Sequence, residues 1–288
     1  MHYEMSIIAA TWPDGAGVAE NWGDALNPVL LGGLSSMSVV NAKYIHGWND
    51  RPVFRAIGSS LASARPNNVI WGTGFINENC TLKHAPAAIS AVRGPRTQRR
   101  LIELGFPAPD ALGDPAILYP LLYWPEIEQR FDVGIIQHFR EYGQIPPARF
   151  PDGTSVLHID IRSGIRKVVD AILSCRRIVS SSLHGVIGAH AYGVAAQWLK
   201  ASDLPLGDDF KFLDYFESIG HDTVDPALPD SDGGIAPCSS PDRPAVIIDG
   251  EKLLRVCPFM SQDRRSHFQR RIRSLRAAGR RGSIFNTF

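Results

Sequence analysis

The chain repeatedly sets a short apolar run directly before a turn bearing glycine or serine, and this repetition limits the fold more than any other feature. Ser6 to Thr11 reads as a buried strand that passes into a loop, Trp12 to Asp24, holding three glycines. A helix is expected from about Ala25 to Gly32. Pro52 to Ile57 and Asn68 to Trp71 end in Gly58-Ser59-Ser60 and Gly72-Thr73-Gly74, the punctuation of a parallel strand turning into a loop. Ala88 to Val92 is strand-like, and Gln98 to Leu104 has helical spacing, with Pro95 suited to the first turn and Gly105 to the stop.

The pattern then restarts. Asp132 to His138, Val156 to Asp160 and Arg177 to Ser180 read as strands, with a helix around Gly164 to Ser174. Strands alternating with helices predict parallel sheets. At 288 residues the chain exceeds the commonest size of one domain. The expected fold class is therefore α/β and GT-B-like, two Rossmann-type domains with parallel sheets facing an interdomain cleft; a single doubly wound sheet is the alternative. The domains are placed at 1–124 and 125–260, with Tyr119 to Pro125 as the linker. The stretch from Gly220 to Pro244, rich in Asp, Pro, Ser and Gly, reads as a long surface excursion. Residues 261–288 form a basic amphipathic helix and tail, with Phe268, Ile272 and Leu275 on one face.

Charge and cysteine usage narrow the function classes. The formal net charge is +1, but Arg264, Arg265, Arg270, Arg271, Arg273, Arg276, Arg280 and Arg281 supply eight positive charges, which leaves −7 for the rest. An acidic body argues against nucleic acid as a partner. Cys80, Cys175, Cys238 and Cys257 lie far apart without a CxxC or Cys/His cluster, so neither a zinc site nor a disulfide framework is expected, and a reducing compartment fits. No cleavable leader is legible in Met1 to Ala10, and no run reaches the roughly 20 apolar residues of a membrane span. The expected location is cytoplasmic. The basic helix suits either packing through its apolar face or peripheral contact with the inner membrane.

The strongest local signal runs from Ile178 to Gly193: an apolar strand, the hydroxyls Ser180, Ser181 and Ser182, then Leu183-His184-Gly185 opening a helix. Free amides at a helix start, serine hydroxyls and the helix dipole together favour a phosphate or carboxylate. His184 falls in the first turn, where an imidazole can exchange a proton near neutral pH. The same segment also reads as a plain helix cap with a packed histidine. His190 reads as structural. Trp12 and Trp22 flank a polar, glycine-containing loop in which a ring face suits a pyranose. For Asp114, a Gly-Asp-Pro turn accounts for the residue without any catalytic duty.

At this point the sequence resembles the polysaccharide pyruvyl transferase family, including its exopolysaccharide ketal-pyruvate transferases. The resemblance spans most of residues 5 to 220. It rests on Asn21-Trp22-Gly23-Asp24, Gly72-Thr73-Gly74, Val92-Arg93-Gly94-Pro95-Arg96-Thr97, Gly113-Asp114-Pro115, Gly134-Ile135-Ile136, and Ser182-Leu183-His184 followed by Asp209-Phe210-Lys211. It implies a GT-B fold with the acceptor on the N-terminal side and the donor on the C-terminal side. The donor it implies is phosphoenolpyruvate, a co-substrate, with no cofactor and no metal. Arg93, His184 and Lys211 match the donor-site residues, and Ser181, Ser182 and Leu183 complete that side. Lys200 rivals Lys211. Ser182 stands where many members carry arginine, so donor charge must be neutralised elsewhere.

The reaction implied is protonation of the donor's methylene carbon, attack by a sugar hydroxyl, loss of phosphate and closure of a cyclic ketal by a second hydroxyl. His184 and Asp24 are the expected catalytic groups. Asn21, Trp22, Glu20 and Asp114 are expected on the acceptor side, and the acceptor is expected to be a lipid-linked oligosaccharide. Two other readings share these features: a nucleotide-sugar glycosyltransferase of the GT-B type, and a non-catalytic scaffold of an exopolysaccharide complex.

Overall fold

The computed structural model describes residues 7–15, 20–47, 50–144, 148–150, 153–235, 249–280 and 282. Ser6, Cys238, Arg281 and the part of the expected excursion beyond 235 lie outside the described residues.

Nine strands in this set pair in parallel to make two sheets. The first contains β1 (Ile7–Ala10), β2 (Ser38–Asn41), β3 (Val53–Arg55), β4 (Asn68–Trp71) and β5 (Ala88–Ala91), in the order β2-β1-β3-β4-β5. The second contains β6 (Phe131–Ile136), β7 (Val156–His158), β8 (Cys175–Ser180) and β9 (Ala195–Trp198), in the order β7-β6-β8-β9. The α/β class with two parallel sheets agrees with the alternation in the sequence. β4, the second half of β6 and the second half of β8 are buried runs, as strands covered on both faces must be.

Both strand orders reverse direction, at β1/β3 in the first sheet and at β6/β8 in the second. Crevices open beyond the carboxyl ends of strands at such reversals. The segments that leave β1, β3, β6 and β8 are thereby brought to the rims of the two crevices.

Among the described residues, seven α-helices pack around these sheets: α1 (Trp22–Ser35), α2 (Pro95–Glu103), α3 (Ile165–Leu173), α4 (Leu183–Ala191), α5 (Phe210–Ser218), α6 (Gly250–Arg255) and α7 (Gln262–Ala277). α1 is longer at both ends than the sequence suggests, and it runs through Pro28, although an interior proline normally ends a helix. Pro28 has no N–H for the Asp24 carbonyl. The adjacent Asn27 Nδ2 reaches that oxygen at 3.3 Å, and its Oδ1 accepts from Ile57 N at 3.0 Å. One side chain thus offsets the lost bond and ties α1 to the loop after β3.

The halves share apolar packing. The largest buried cluster takes Ile8, Leu26 and Leu30 from the first half and Ile136, Val186 and Ile187 from the second. The expected linker begins inside a buried 3₁₀ turn, Pro115–Leu121, whose Tyr119 and Leu121 belong to this same cluster. The expected excursion is tied down in its described part, where Ala227 bridges to Leu199 and Gly234 to Arg149.

α7 buries Phe268 and Ile272 against the body. Arg264 donates to the carbonyls of Gly33 and Leu34 at the C-terminal end of α1, while Arg276 pairs with Glu251 at 3.0 Å. Among the described residues, no helix is long and apolar enough to cross a membrane.

Candidate active site

A cavity of about 240 Å³ is lined by residues that follow strands of both sheets. Pro13 follows β1 in its wall, Ile57 to Ser60 follow β3, His138 to Arg140 follow β6, and Ser182 to His184 follow β8. Asn21 and Asp24 enter from the start of α1, and Lys211 from α5. The strand-end loops and α4 are thus assembled by topology, since each follows one of the four strands at a reversal.

His184 occupies the second position of α4, its side chain 12% exposed and set against the start of α1. The approach is so close that a Cβ on Gly23 would lie 2.0 Å from Nδ1 of the imidazole. Glycine at 23 is therefore required by space rather than by backbone angle. The Gly23→Ala variant is expected to push the ring out of place and lower turnover at least tenfold, with circular dichroism unchanged; turnover within twofold of the native chain would contradict the packing.

His184 Nε2 lies 3.9 Å from Asp114 Oδ2, and neither atom has a hydrogen-bond partner among the described residues. Asp114 is fully buried. Its other oxygen accepts from Ala116 N at 3.0 Å, capping the 3₁₀ turn, so one oxygen serves structure and the other faces the histidine. Gly72, with a φ of 99°, holds the neighbouring turn, where a Cβ would strike the Pro115 ring. Burial raises the Asp114 carboxyl to about 7, whereas burial followed by the charges of Arg93 and Lys211 lowers His184 to about 3. At neutral pH the imidazole is uncharged, and the facing carboxyl holds its proton far above the usual carboxylate range.

A carboxyl raised in the folded chain holds a proton that the unfolded chain releases near pH 4. Its contribution to stability is therefore complete below that pH and lost as pH rises through about 7. Asp114→Asn removes a charge that the fold disfavours in alkali. Its melting temperature at pH 8 is expected to equal or exceed that of the native chain, with the advantage shrinking at pH 5. Turnover is expected to fall at least tenfold, because an amide does not exchange a proton with His184. A melting temperature several degrees lower at pH 8 would contradict this assignment.

Asp24 lines the cavity, accepts from Asn21 Nδ2 at 2.7 Å and is raised by burial to about 6. Lys211 also faces the cavity. It donates to the Leu206 carbonyl at 2.9 Å, and burial, then Arg93, lowers it to about 8. Lys200 instead pairs with Asp209 at 2.9 Å, away from His184, so Lys211 is the lysine that meets the histidine. Ser182 stands at the N-cap position of α4 without a side-chain capping bond, and lines the cavity with Leu183. Ser181 turns away, its hydroxyl donating to Glu141 and accepting from His138 N.

Arg93 is placed differently from a free donor ligand. It is fully buried, with Nε on Asp214 at 3.0 Å, Nη1 on Ser59 Oγ at 2.7 Å and Nη2 on the Phe75 carbonyl at 2.6 Å. Its charge is felt at His184, but its fork braces the cavity wall through Ser59.

On the expected acceptor side, Asn21 and Asp24 reach the cavity, whereas Asp114 lies behind His184. Trp22 is 1% exposed with its indole N–H on the Ile165 carbonyl, so it offers no ring face to a sugar. Glu20 is exposed and does not line the cavity. His190 pairs with Tyr215 at 3.0 Å in the core.

His138 and Arg140 were not singled out by the sequence. His138 Nδ1 accepts from Arg140 N at 3.3 Å, and burial lowers this imidazole to about 3. Their signal was available, since both directly follow an apolar strand. Among the described residues, no group of three or more His, Cys, Asp or Glu is arranged to hold a metal ion.

Comparison with known proteins bears on the chain as a whole. A family model described as polysaccharide pyruvyl transferase matches residues 40–199, which include Arg93, Asp114, His138, Ser182 and His184 but not Lys211. An uncharacterized protein of Acanthamoeba polyphaga mimivirus is 34% identical over 183 residues, covering 60% of this chain and 62% of that relative. A crystal structure titled as a functional uncharacterized protein of Klebsiella pneumoniae subsp. pneumoniae aligns with a TM-score of 0.42 and 10% identity, over 75% of this chain and 88% of that one. With more than half of its length inside the family match, the chain belongs to the polysaccharide pyruvyl transferase family.

Proposed function

We propose that the chain moves a pyruvyl group from phosphoenolpyruvate onto two hydroxyls of a sugar in an exopolysaccharide repeat unit, forming a cyclic ketal and releasing phosphate. The observation that carries this reading is the cavity at the strand reversals, where His184, the Asp24 carboxyl and the Lys211 cation converge, with the Asp114 carboxyl behind the imidazole.

The chemistry needs a proton delivered to the donor's methylene carbon and a proton removed from each attacking hydroxyl. In the unliganded cavity the proton resides on Asp114 rather than on His184. An anionic donor beside Lys211 offsets the positive field that disfavours imidazolium, so the proton passes to His184 and from there to carbon. Asp24, in the cavity wall next to Gly23, is the base for the acceptor hydroxyl. The first amides of α4, which lack intrahelical acceptors, and the Ser182 hydroxyl receive an anionic group of the donor.

As part of the same reading, the sheets form a GT-B-like pair, with the acceptor bound on the side of residues 1–124 and the donor on the side of 125–260. The acceptor is a lipid-linked oligosaccharide at the cytoplasmic face of the inner membrane, where the exposed Arg270 and Arg273 of α7 meet anionic lipid.

Calorimetric titration of the full chain with phosphoenolpyruvate and, separately, with a nucleoside diphosphate tests the donor. Binding of phosphoenolpyruvate alone is the expected result. Binding of the nucleoside diphosphate alone would replace this reading with a glycosyltransferase.

A further inference from the structure

Arg140 is the cavity's uncommitted cation. It is exposed, lies over the Phe139 ring at 5.8 Å, and its guanidinium has no hydrogen-bond or ion-pair partner among the described residues. Many other arginines are engaged: Arg96 and Arg99 on Glu217, Arg162 on Asp160, Arg276 on Glu251. The nearest acid in sequence, Glu141, is turned away and consumed. It is fully buried, accepting from Ser181 Oγ, from His138 N at 3.0 Å and from Ser202 Oγ at 2.7 Å.

The charge balance of the cavity makes this unpaired state informative. Arg93 is neutralised by Asp214, while Lys211 keeps two of its three N–H donors beyond the Leu206 carbonyl. Arg140 stands close enough to Lys211 and His138 for its charge to disfavour protonation of both. Glu141 and Asp208 favour the Lys211 charge from nearby, but among the described residues no carboxylate pairs with either Lys211 or Arg140, and an anion placed between the two cations relieves their repulsion. A guanidinium also offers a planar fork that matches a phosphate in two-point contact, which an ammonium does not.

We infer that Arg140, with Lys211, forms the phosphate seat of this cavity and takes the phosphoryl end of a small phosphorylated carboxylate. The inference rests on the proposed function for the identity of the donor, but the seat itself is defined by phosphate. Its place at the exposed rim suits a group that must leave after transfer.

The experiment measures binding of inorganic phosphate and of phosphoenolpyruvate to the full chain by calorimetry, for the native protein, Arg140→Gln and Arg140→Lys. Unliganded melting temperatures serve as the check on folding. Arg140→Gln is expected to weaken both ligands at least tenfold and Arg140→Lys to weaken them less, with melting temperatures unchanged, since this side chain holds nothing else in place. Retention of both affinities within twofold in Arg140→Gln would overturn the inference while leaving the pyruvyl transferase reading intact. Loss of phosphate binding in Arg140→Gln, with native binding of phosphoenolpyruvate no tighter than of phosphate, would uphold the seat and sink the donor. Binding of neither anion by the native chain would overturn both.

Discussion

His184→Ala is expected to lower turnover by about 10²- to 10⁴-fold, the range ascribed to a positioned acid or base, while leaving the fold intact. The two halves of that result have separate causes. The ring faces the cavity with Nε2 unpaired, opposite a carboxyl that is itself unpaired, so its removal breaks no hydrogen bond and relieves one orphaned polar atom. Alanine is also the residue best suited to a helix interior. The melting temperature is therefore expected to stay within a few degrees of the native value, whereas proton delivery to the donor carbon is lost. A variant that unfolds would make His184 a packing residue, and one that turns over normally would place the chemistry elsewhere.

Asp214→Ala is expected to cause the largest loss of stability, about 3–5 kcal/mol, the usual cost of stripping one partner from a buried ion pair. Asp214 and Arg93 are both fully buried, and the carboxylate does more than neutralise the guanidinium. Its Oδ1 accepts from Thr97 N at 2.8 Å and its Oδ2 from Thr97 Oγ1 at 2.7 Å, so α5 caps the first turn of α2 from outside. Gly94 permits this approach, since a Cβ there would collide with the Asp214 carbonyl. The substitution leaves a buried cation without its counter-ion and the Thr97 amide without its acceptor at the joint between the two helices. Against a total of about 5–15 kcal/mol, such a loss is a large fraction of the whole. Denaturant titration would record it as a lower midpoint, and a midpoint unchanged within error would show that the pair contributes no net stability.

Much of this arrangement is legible in the sequence because strand ends announce themselves. Gly58-Ser59-Ser60 and Ser180-Ser181-Ser182 end buried apolar runs, and each contributes residues that border the cavity. Other elements carry no comparable signal. β2 and β9 are four residues long and mostly half-buried, which leaves neither a long apolar run nor a clear alternation. α5 packs Phe210, Phe212, Tyr215 and Phe216 inward, a density of aromatic residues that favours strand as readily as helix.

The site divides in the same way. Asp24, Ser182, His184 and Lys211 converge as the motifs imply, because each lies where a strand or helix meets the cavity. Arg93 and Trp22 keep the right neighbourhood but direct their polar atoms into the scaffold, toward Asp214 and the Ile165 carbonyl. These partners lie 121 and 143 residues away, beyond the reach of local pattern. Arg140 is hidden for the opposite reason, since its significance lies in a missing partner, which is visible only once Glu141 is seen to point elsewhere.

The most direct test of the central claim is release of inorganic phosphate from phosphoenolpyruvate in the presence of a panel of lipid-linked and aryl glycosides, with the native chain and His184→Ala side by side. Release that depends on the acceptor, and disappears in the variant, is the result expected if this cavity performs pyruvyl transfer. No release with any acceptor, accompanied by consumption of a nucleotide sugar, would contradict it.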